Sequence, residues 1–583
     1  MGGTGTTSMS PREGPDSLLG MVAARAAEHP DQRLYSMFES ADGPAGSITA
    51  ATLHRQVLGV GCHLADTLAP GSRVLLLLPP GRAFVLGFLG CVAAGLVPIP
   101  AAPPSRARLR QSLLPLARIL ADCQPRAILS TEALATATMA GIEASDPLLS
   151  IPWHRLNDAV RRDVGNWVPP PVDARQPAFL QYTSGSTMAP RGVVVTHANL
   201  LANLATIQRA FATTSQDHAV VWLPPHHDMG LVGGLLTPLH GGFAVTLMTP
   251  QEFVQSPVRW LRAITQAGGT ISGGPDFAYR MCVERVRDDQ LDGLDLSSWR
   301  LAFTGAEPVS AGTLRAFGER FAPVGFRPSA FYPCYGLAES TLFVSGGVSG
   351  RGPTVTPLSR LGLSTGVAAT PVDADDVRAL VSNGEVVGDD TVLLVVDPQT
   401  RTECARGEVG EIWVRGPSVA AGYFGQPDLS RERFAATTAE GDGPYLCTGD
   451  LGCLVDGQLY VTGRLKDTLI VDGRTLDAHD VEEAIGPAIH ADRQGLTAAL
   501  SVTASGHERM VVVQEVGRAA VAGAAALTGE IYAVVAERFG VRPDDVVLVP
   551  IGSLPRTTSG KLRRAEAARL LLAGELRRLG QGL

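Results

Sequence analysis

Short apolar runs recur along the first half of this sequence, and a helical stretch or a Gly/Pro turn separates each run from the next. Arg73–Pro79 and Leu96–Pro100, for example, flank an apolar helical stretch at Phe84–Ala94. Further runs begin at Ala127, Phe179, Val193, Ala219, Ala244 and Leu301. Apolar runs that alternate with helices are typical of a mostly parallel sheet covered by helices. The sequence therefore predicts an α/β fold, with ligands bound where polar motifs follow the strand ends.

One of these polar motifs is a loop between two apolar runs. Residues 181–200 read Gln-Tyr-Thr-Ser-Gly-Ser-Thr-Met-Ala-Pro-Arg-Gly-Val-Val-Val-Thr-His-Ala-Asn-Leu, with a helix start predicted at Thr196. Consecutive backbone N–H groups, hydroxyl donors and the cation Arg191 form a concavity suited to polyphosphate oxygens. The Gly-Lys-Ser/Thr of a P-loop is absent, which argues against an ordinary P-loop NTPase. Taken alone, the stretch also fits a Ser/Thr-rich surface turn.

A second motif, His226-His227-Asp228, follows the strand that ends near Trp222. Three such residues in a row suggest a metal site, but adjacent side chains at a strand end point in opposite directions and rarely converge on one ion. The pattern favours a pocket lined by one of the two histidines. A histidine whose hydrogen bonds are satisfied within the core is the alternative.

Two further motifs contain the residues suited to holding a nucleotide. Phe303–Pro308 contains Thr-Gly-Ala-Glu, and Phe331–Thr341 reads Phe-Tyr-Pro-Cys-Tyr-Gly-Leu-Ala-Glu-Ser-Thr. Tyr335 and Gly336 together can form a flat slot for a purine ring. Glu339, as a lone carboxylate beside a triphosphate, is a natural Mg²⁺ ligand. Each stretch on its own also fits ordinary core.

The chain divides into parts of different character. Residues 1–16 have the composition of a disordered lead-in, and residues 17–465 form the predicted large domain, with short β segments near its end that indicate a small barrel-like part. Residues 346–387 break the strand and helix alternation and are predicted to be an insertion. Residues 466–583 have the pattern of a small α+β domain, joined to the large one by a hinge.

Composition excludes several classes of protein. The 583 residues carry a net charge of −8, which argues against a nucleic-acid-binding surface. The eight cysteines are scattered without a Cys-x-x-Cys pair, so neither a zinc site nor a disulfide framework is indicated. The first residues lack the pattern of a signal peptide, and the longest apolar runs are too short or too interrupted by glycine to span a bilayer. We therefore expect a cytoplasmic protein without stable membrane insertion.

Together, the motifs resemble the adenylate-forming superfamily of acyl-CoA synthetases, peptide-synthetase adenylation domains and luciferases. The resemblance covers nearly the whole chain, and its motifs occur in the family's order at Thr183–Gly192, Tyr335–Glu339, Thr448–Asp450, Gly463–Arg464 and Ser559–Lys561.

Within the superfamily the chain looks most like the fatty-acyl-AMP ligases. The features that carry this likeness are Leu223–Leu231, Cys334–Leu342 and the extra segment Gly346–Val387. The resemblance implies that ATP and Mg²⁺ activate a fatty acid to acyl-AMP with release of pyrophosphate. It also implies transfer to the phosphopantetheine thiol of an acyl carrier protein, in polyketide, non-ribosomal peptide or lipid biosynthesis. In that branch the insertion is associated with poor use of free CoA. The alternatives are a fatty acyl-CoA synthetase and a non-catalytic relative that only binds acyl or nucleotide ligands.

The resemblance also assigns roles to single residues. It places the β- and γ-phosphates on Thr183, Ser184, Gly185, Ser186, Thr187 and Arg191. It surrounds adenine and ribose with Gly305, Ala306, Glu307, Tyr335 and Gly336. In it, Asp450 accepts both ribose hydroxyls, and Arg464 reaches the ribose or the phosphate. Its catalytic set is Lys561, which bridges the acyl carboxylate and the α-phosphate, with Thr183, His227 and the Mg²⁺ ligand Glu339. The hinge falls on Lys466, and the expected acyl tunnel is lined by Gly230–Gly242 and Pro275–Tyr279.

The chain departs from the wider family at some positions. Met188 and Arg191 stand where most synthetases have Gly and Lys, so the loop is stiffer at 188 but keeps a cation at 191. Thr475–His479 differs from the aromatic-Pro run that is usual in this branch.

Overall fold

A computed structural model describes residues 17–38, 46–104, 109–143, 146–183, 190–471, 474–488, 496–504, 507–517, 523–556 and 562–579. The predicted site residues Ser184, Gly185, Ser186, Thr187 and Lys561 lie outside these described residues.

Strands and helices alternate along most of the described chain. The first part contains α1 (Leu18–Glu28), β1 (Arg33–Met37), β2 (Ser47–Thr49), α2 (Ala50–Ala65), β3 (Arg73–Leu77), α3 (Arg82–Ala93), β4 (Val97–Pro100), α4 (Leu109–Cys123), β5 (Ala127–Ser130), α5 (Glu132–Met139), β6 (Trp153–Arg155), α6 (Leu156–Ala159) and β7 (Pro177–Thr183). The middle part contains β8 (Arg191–Thr196), α7 (His197–Phe211), β9 (His218–Val221), a π-helix (Met229–Leu236), α8 (Thr237–Gly241), β10 (Ala244–Leu247), α9 (Pro250–Gln255), α10 (Val258–Ala267), β11 (Ile271–Gly273), α11 (Asp276–Arg285), β12 (Leu301–Thr304), α12 (Ala311–Phe321), β13 (Phe331–Gly336) and β14 (Phe343–Gly346).

The last part begins with the predicted insertion and ends with the C-terminal module. It contains β15 (Val355–Ser359), α13 (Arg360–Ser364), β16 (Val377–Val381), β17 (Glu385–Val386), β18 (Val392–Val396), β19 (Gly410–Arg415), α14 (Pro427–Phe434), β20 (Leu446–Val455), β21 (Gln458–Arg464), β22 (Thr468–Val471), β23 (Arg474–Asp477), α15 (Ala478–Ala488), β24 (Thr497–Ala504), β25 (His507–Val516), α16 (Ala524–Phe539), β26 (Asp545–Pro550) and α17 (Arg564–Leu572).

The largest sheet places its strands in the order β17-β14-β13-β12-β11-β9-β10-β1-β2. Its strands from β13 to β1 run parallel to one another, and β14 and β2 pair antiparallel with the two ends of this set. The chain adds β10 on one side of β9 and β11 on the other, so the direction of strand addition reverses at β9. In an open α/β sheet such a reversal leaves a crevice at the carboxyl ends of the strands, where ligands bind.

Two smaller sheets complete the α/β part. Strands β4, β3, β5 and β6 form a second parallel sheet, and β7 and β8 form an antiparallel hairpin of their own. Together with the first sheet, this arrangement confirms the predicted α/β class of helix-covered sheets.

The remaining strands form antiparallel or mixed sheets. Strands β18 to β21 form a four-stranded antiparallel sheet, and β15 pairs only with β16, within the predicted insertion. In the C-terminal module, β24, β25 and β26 form a mixed sheet against which α15, α16 and α17 pack. The two hydrophobic clusters of this module draw on residues from Leu469 onward. Among the described helices, none is both long enough and apolar enough to cross a bilayer.

Candidate active site

The β7–β8 hairpin fixes the two ends of the predicted phosphate loop. Thr183 and Arg191 lie opposite each other in the antiparallel register. A Cβ added to Gly192 would lie 2.9 Å from the Tyr182 ring, so this glycine allows the ring to lie across the hairpin. Thr196 caps α7 by accepting a hydrogen bond from the backbone N–H of Asn199 at 3.1 Å, which confirms the predicted helix start.

Arg191 and Glu339 both contact the same tyrosine, Tyr423, which the sequence motifs did not indicate. The Arg191 guanidinium lies 5.4 Å from the centroid of the Tyr423 ring, and the Tyr423 hydroxyl donates to Glu339 Oε1 at 2.8 Å. Burial and the nearby Glu339 carboxylate raise the pKa of Tyr423, so its hydroxyl is a donor at neutral pH. The segment around Tyr423 is held against β8, since Phe424 N donates to Gly192 O at 2.7 Å.

The Asp450 carboxylate is held from two sides. The Tyr335 hydroxyl donates to its Oδ2 at 2.8 Å, and Arg464 Nε lies 2.9 Å from its Oδ1. Asp450 and Arg464 are direct partners in the register of β20 with β21. The Asp450 side chain is 9% exposed and the Arg464 side chain 49% exposed, so the pair lies at an opening to solvent. Each carboxylate oxygen has two lone pairs, so the carboxylate can still accept two hydroxyl groups.

Charge and burial keep both partners of Asp450 in their donor forms. The neighbouring Asp450 carboxylate raises the pKa of Arg464. Burial, followed by the negative charge of Asp450, raises the pKa of Tyr335 well above its usual value. A neutral phenol and a charged guanidinium are therefore the states that face Asp450 at neutral pH.

The two predicted nucleotide segments come into close contact at the ends of β12 and β13. A Cβ on Gly305 would lie 2.6 Å from Cys334 O, and one on Gly336 would lie 1.8 Å from Leu342 O, so only glycine fits at these positions. The next residue, Ala306, is exposed and has a left-handed backbone with φ of 66°.

Glu307 follows Ala306 and is in contact with a helix. Its Oε1 accepts a hydrogen bond from Phe277 N at 2.8 Å, in the first turn of α11. One oxygen of this predicted nucleotide residue is therefore engaged by the protein itself.

The two histidines lie just after β9, at the point where strand addition reverses. Their rings are 4.5 Å apart and tilted, and His226 O accepts a hydrogen bond from Gln181 Nε2 at 2.8 Å. Burial lowers the pKa of His226, so its ring is neutral. His227 N donates to Pro224 O at 3.1 Å. No three His, Cys, Asp or Glu side chains of the described ranges converge in a group that could hold a metal ion.

An apolar cavity lies between the large sheet and the helices that cover it. Its wall combines residues of α7, β9, the π-helix, α8, β11 and β12, among them Phe211, Val221, Gly233, Pro238, Ile271 and Phe303. At one side the same wall includes Ala306, Tyr335 and Gly336, so the cavity reaches the predicted nucleotide segments.

The predicted acyl-tunnel segments differ in their relation to this cavity. Within Gly230–Gly242, Gly233, Thr237 and Pro238 line it. Pro275–Tyr279 is not part of its wall, and Phe277 instead packs edge-to-face on Trp222.

The predicted hinge lies directly after β21. Leu465–Asp467 forms a short 3₁₀-helix with Lys466 exposed, and β22 begins at the next residue. On the C-terminal module, Arg556 and Leu562 form an antiparallel bridge, so the residues that flank the Ser559–Lys561 motif lie side by side.

Comparison with known proteins agrees with this geometry. The sequence matches the AMP-binding enzyme family over residues 22–424. It is 37% identical to the medium-chain fatty acid–acyl-carrier-protein ligase JamA of Moorena producens, with 96% of each chain covered. It is 36% identical to a long-chain fatty acid–AMP ligase of Mycolicibacterium smegmatis, over 92% of this chain and 90% of that one.

A solved structure shows the same fold with ligands. The fatty acyl-adenylate ligase of L. pneumophila, in complex with acyl adenylate and pyrophosphate, superimposes with a TM-score of 0.75 at 36% identity, over 96% of each chain. The chain described here therefore belongs to the AMP-binding enzyme family and, within it, to the fatty-acyl-AMP ligases.

Proposed function

We propose that this enzyme activates a fatty acid with ATP to acyl-AMP and passes the acyl group to the phosphopantetheine thiol of an acyl carrier protein. The observation that carries the proposal is that the wall of the apolar cavity includes Ala306, Gly336 and Tyr335, whose hydroxyl binds the Asp450 carboxylate. A fatty acid must present its carboxylate to the α-phosphate while its alkyl chain is removed from water. An apolar cavity that reaches the neighbourhood of Asp450 can hold the alkyl chain and present the carboxylate to the nucleotide.

In the first half-reaction the fatty carboxylate attacks the α-phosphorus in line, and pyrophosphate leaves. The carboxylate is already ionised at neutral pH, so the enzyme needs no general base. The protein contributes position and charge instead. Asp450 accepts the ribose hydroxyls, Thr183 and Arg191 hold the phosphates at the two ends of the loop, and Lys561 bridges the two reacting groups.

Glu339 has the properties of a magnesium ligand. Its carboxylate is half-buried, and the Tyr423 hydroxyl holds one of its oxygens beside Arg191. A single carboxylate is sufficient, because Mg²⁺ takes one or two carboxylates together with phosphates and water. When bound, Mg²⁺ neutralises charge on the phosphates. The contribution of the chain is to direct Glu339, through Tyr423, toward the phosphate loop.

In the second half-reaction the carrier thiol attacks the acyl carbon and AMP leaves. In the sequence, the phosphate loop precedes Lys466 and Lys561 follows it. We therefore assign the conformational change between the half-reactions to rotation about this hinge. JamA is named as an acyl-carrier-protein ligase, and this name supports a carrier as acceptor. A carrier domain of a polyketide or peptide synthase is the partner that we propose. All eight cysteines are free, which supports a reducing, cytoplasmic location.

Pyrophosphate release tests the first step. The purified enzyme is given ATP, Mg²⁺ and a panel of saturated fatty acids of increasing length, and a fatty alcohol series that lacks the carboxylate is the control. We expect release with the acids only. Release that does not depend on a fatty acid would contradict the proposed substrate class.

Acceptor choice tests the second step. Radiolabelled acyl-AMP formed on the enzyme is offered to free CoA and to a carrier protein with its phosphopantetheine arm attached, and the unmodified carrier is the control. We expect acyl transfer to the modified carrier. Equal or faster transfer to CoA would instead identify a fatty acyl-CoA synthetase.

A further inference from the structure

A buried carboxylate on β19 supports the turn that carries Asp450. Glu411 is 5% exposed, and each of its oxygens has a partner. Oε1 accepts a hydrogen bond from Gly449 N at 2.8 Å, and Oε2 accepts one from Trp413 Nε1 at 2.9 Å. Arg433 Nη1 lies 3.7 Å from Oε1 and compensates the charge. The chemistry described above does not use Glu411.

The contact with Gly449 falls where the pairing of β19 with β20 is irregular. The register passes from Glu411 opposite Leu451 to Trp413 opposite Cys447, so one residue on β19, Ile412, faces three on β20. The additional residues form a bulge that contains Thr448, Gly449 and Asp450. Bulges redirect a side chain out of the regular sheet, and they are frequent beside active sites.

Both sides of this bulge are held by β19. The Thr448 hydroxyl donates to Ile412 O at 2.7 Å and accepts from Asp450 N at 3.1 Å. Gly449 has a left-handed φ of 75°, and its N–H donates a hydrogen bond to Glu411. Without that acceptor, a partly buried backbone donor would lose its partner at the residue before Asp450.

The buried carboxylate of Glu411 is compensated by the groups around it. Removing a carboxylate from water is costly unless hydrogen bonds and an opposite charge compensate it. Glu411 uses two donors and the Arg433 guanidinium for this compensation, and its contact with Gly449 N fixes the turn that directs the Asp450 carboxylate.

We propose that Glu411 is a positioning residue for ribose recognition. It holds the bulge in β20 so that the lone pairs of the Asp450 oxygens that Tyr335 and Arg464 do not use face the two ribose hydroxyls. This inference rests on the proposed function, because it requires the ribose of ATP to bind at Asp450.

Discrimination between ATP and its 2′-deoxy and 3′-deoxy analogues tests the proposal. We expect the wild-type enzyme to prefer ATP in kcat/KM for pyrophosphate release, and Glu411→Gln to reduce that preference by about tenfold, equivalent to about 1.4 kcal/mol. The glutamine amide has one acceptor oxygen and one NH₂ donor group in place of the two acceptor oxygens of the carboxylate. The N–H groups of Gly449 and Trp413 therefore cannot each have an acceptor oxygen of their own. The change should lie in KM for ATP, with KM for the fatty acid unchanged.

A double-mutant cycle shows whether Glu411 acts through Asp450. Asp450→Ala alone should abolish the preference for ATP over the deoxy analogues. Adding Glu411→Gln to Asp450→Ala should then change KM for ATP by less than about twofold, because coupled residues are not additive. Additive effects of the two substitutions would overturn the proposal.

Asp217→Asn is the matched control. Asp217 is another buried carboxylate with an arginine partner, Arg300 Nε at 2.8 Å, and it lies directly before β9, outside the β19–β20 bulge. Its substitution should lower the thermal midpoint without changing the nucleotide preference. If Glu411→Gln behaves in the same way, Glu411 is only structural and the proposal is wrong.

Two further outcomes are decisive. If Glu411→Gln does not fold, Glu411→Asp replaces it in the test. Aspartate keeps the charge but is one methylene too short to reach both donors. An unchanged preference for ATP over the deoxy analogues in that variant overturns the proposal. If wild-type enzyme releases pyrophosphate equally well with ATP and both deoxy analogues, the assignment of the ribose to Asp450 fails. That failure is distinguishable, because it appears in the wild-type enzyme before any substitution.

Discussion

At the scale of single residues, the pairing of Asp450 with Arg464 contributes more to orientation than to stability. The Arg464 side chain is half-exposed, and an ion pair at such a site is worth only about 0–1 kcal/mol. The Tyr335 hydroxyl, which is buried, fixes the other carboxylate oxygen. The arrangement therefore fixes the direction of a charged acceptor while leaving lone pairs free for a ligand.

Lys561→Ala should reduce acyl-AMP formation by about 10²–10³-fold, because removing a preorganised donor to a developing anion costs about 3–4 kcal/mol. Transfer to the thiol from supplied acyl-AMP should be largely retained. Pyrophosphate release and single-turnover thiol transfer measure the two steps separately. Arg577→Ala removes a charge from an exposed position of the same module and is the control. Equal loss in both half-reactions would contradict the assigned role.

The sequence could single out candidate residues that belong to compact motifs, and it could not single out those whose contacts depend on register. Tyr335, Asp450 and Arg464 each belong to such a motif. Tyr423 lies 84 residues from Glu339, and its contact exists because the segment around Tyr423 pairs with β8. Glu411 likewise reaches Gly449 only because of the bulge between β19 and β20. Neither composition nor periodicity reports such long-range pairing.

At the scale of elements, the buried strands were the most predictable part of the fold. Runs such as β3 are apolar because helices cover both faces of a parallel sheet, so the sequence records their burial directly. The π-helix Met229–Leu236 was not predicted, since a short apolar run rich in glycine does not reveal its hydrogen-bonding pattern. π-Helical turns are frequent at functional sites, and this one lines the cavity.

Gly233 on this π-helix offers a way to shorten the cavity. A Cβ at this position would lie 3.3 Å from Leu342 Cδ2 on the opposite wall, so a valine would narrow the space between them. We expect Gly233→Val to lower kcat/KM for long acids relative to short ones by at least about 10-fold, because one methylene in an apolar pocket is worth about 10–200-fold and valine adds three carbon atoms. KM for ATP should not change. Gly529→Val, at an open position of α16, is the control. An unchanged chain-length profile would show that acyl chains do not pass Gly233.

Asp276, at the start of α11, should make stability depend on pH. It accepts hydrogen bonds from Ser310 N and from the Thr313 hydroxyl, both at 2.9 Å, and burial raises its pKa to about 7. Between about pH 4 and pH 7 the folded protein therefore binds more protons at this group than the unfolded chain does. The contribution of Asp276 to the free energy of unfolding then falls as pH rises through that window.

Asp276→Asn should remove this dependence. The variant should gain stability relative to wild type as pH rises from 5 to 8, measured as the midpoint of urea-induced unfolding. Asp289→Asn, a change at an exposed carboxylate, should leave the slope as in wild type. A difference between Asp276→Asn and wild type that is constant over this pH range would show that Asp276 is already ionised at pH 5.

At the scale of the whole molecule, the predicted insertion touches the C-terminal module. Arg378 on β16 lies 2.5 Å from Asp480 on α15, and both side chains are 14% exposed. The same guanidinium donates to Thr462 O on β21 at 3.3 Å. Within the module, Arg564 binds Asp467 at 3.0 Å and Glu482 at 2.6 Å. Loss of one partner from a buried ion pair costs about 3–5 kcal/mol, so the insertion can influence where the module rests.

Removing this contact should allow free CoA to compete as acceptor. Deletion of residues 350–378 should preserve adenylation while acyl-CoA appears beside acyl-carrier product, because the module is then less restricted in its rotation. Arg378→Ala, which keeps the β15–β16 hairpin, should have the same effect more weakly. Arg406→Ala breaks an exposed ion pair and is the control. Normal adenylation without acyl-CoA in the deletion variant would show that the exclusion of CoA has another cause.

The hairpin of β20 and β21 has a consequence for the order in which products leave. It contains Asp450 and, opposite it, Arg464, which is two residues before Lys466. Rotation about Lys466 would therefore turn the C-terminal module around the nucleotide while the ribose stays on Asp450. If the ribose binds at Asp450 and the module turns about Lys466 as proposed, the acyl-adenylate would remain stationary between the two reactions, and only the groups that face it would be exchanged. On this basis we expect pyrophosphate to depart before the thiol enters. We expect AMP to dissociate last, because the Asp450 carboxylate holds its ribose through both half-reactions.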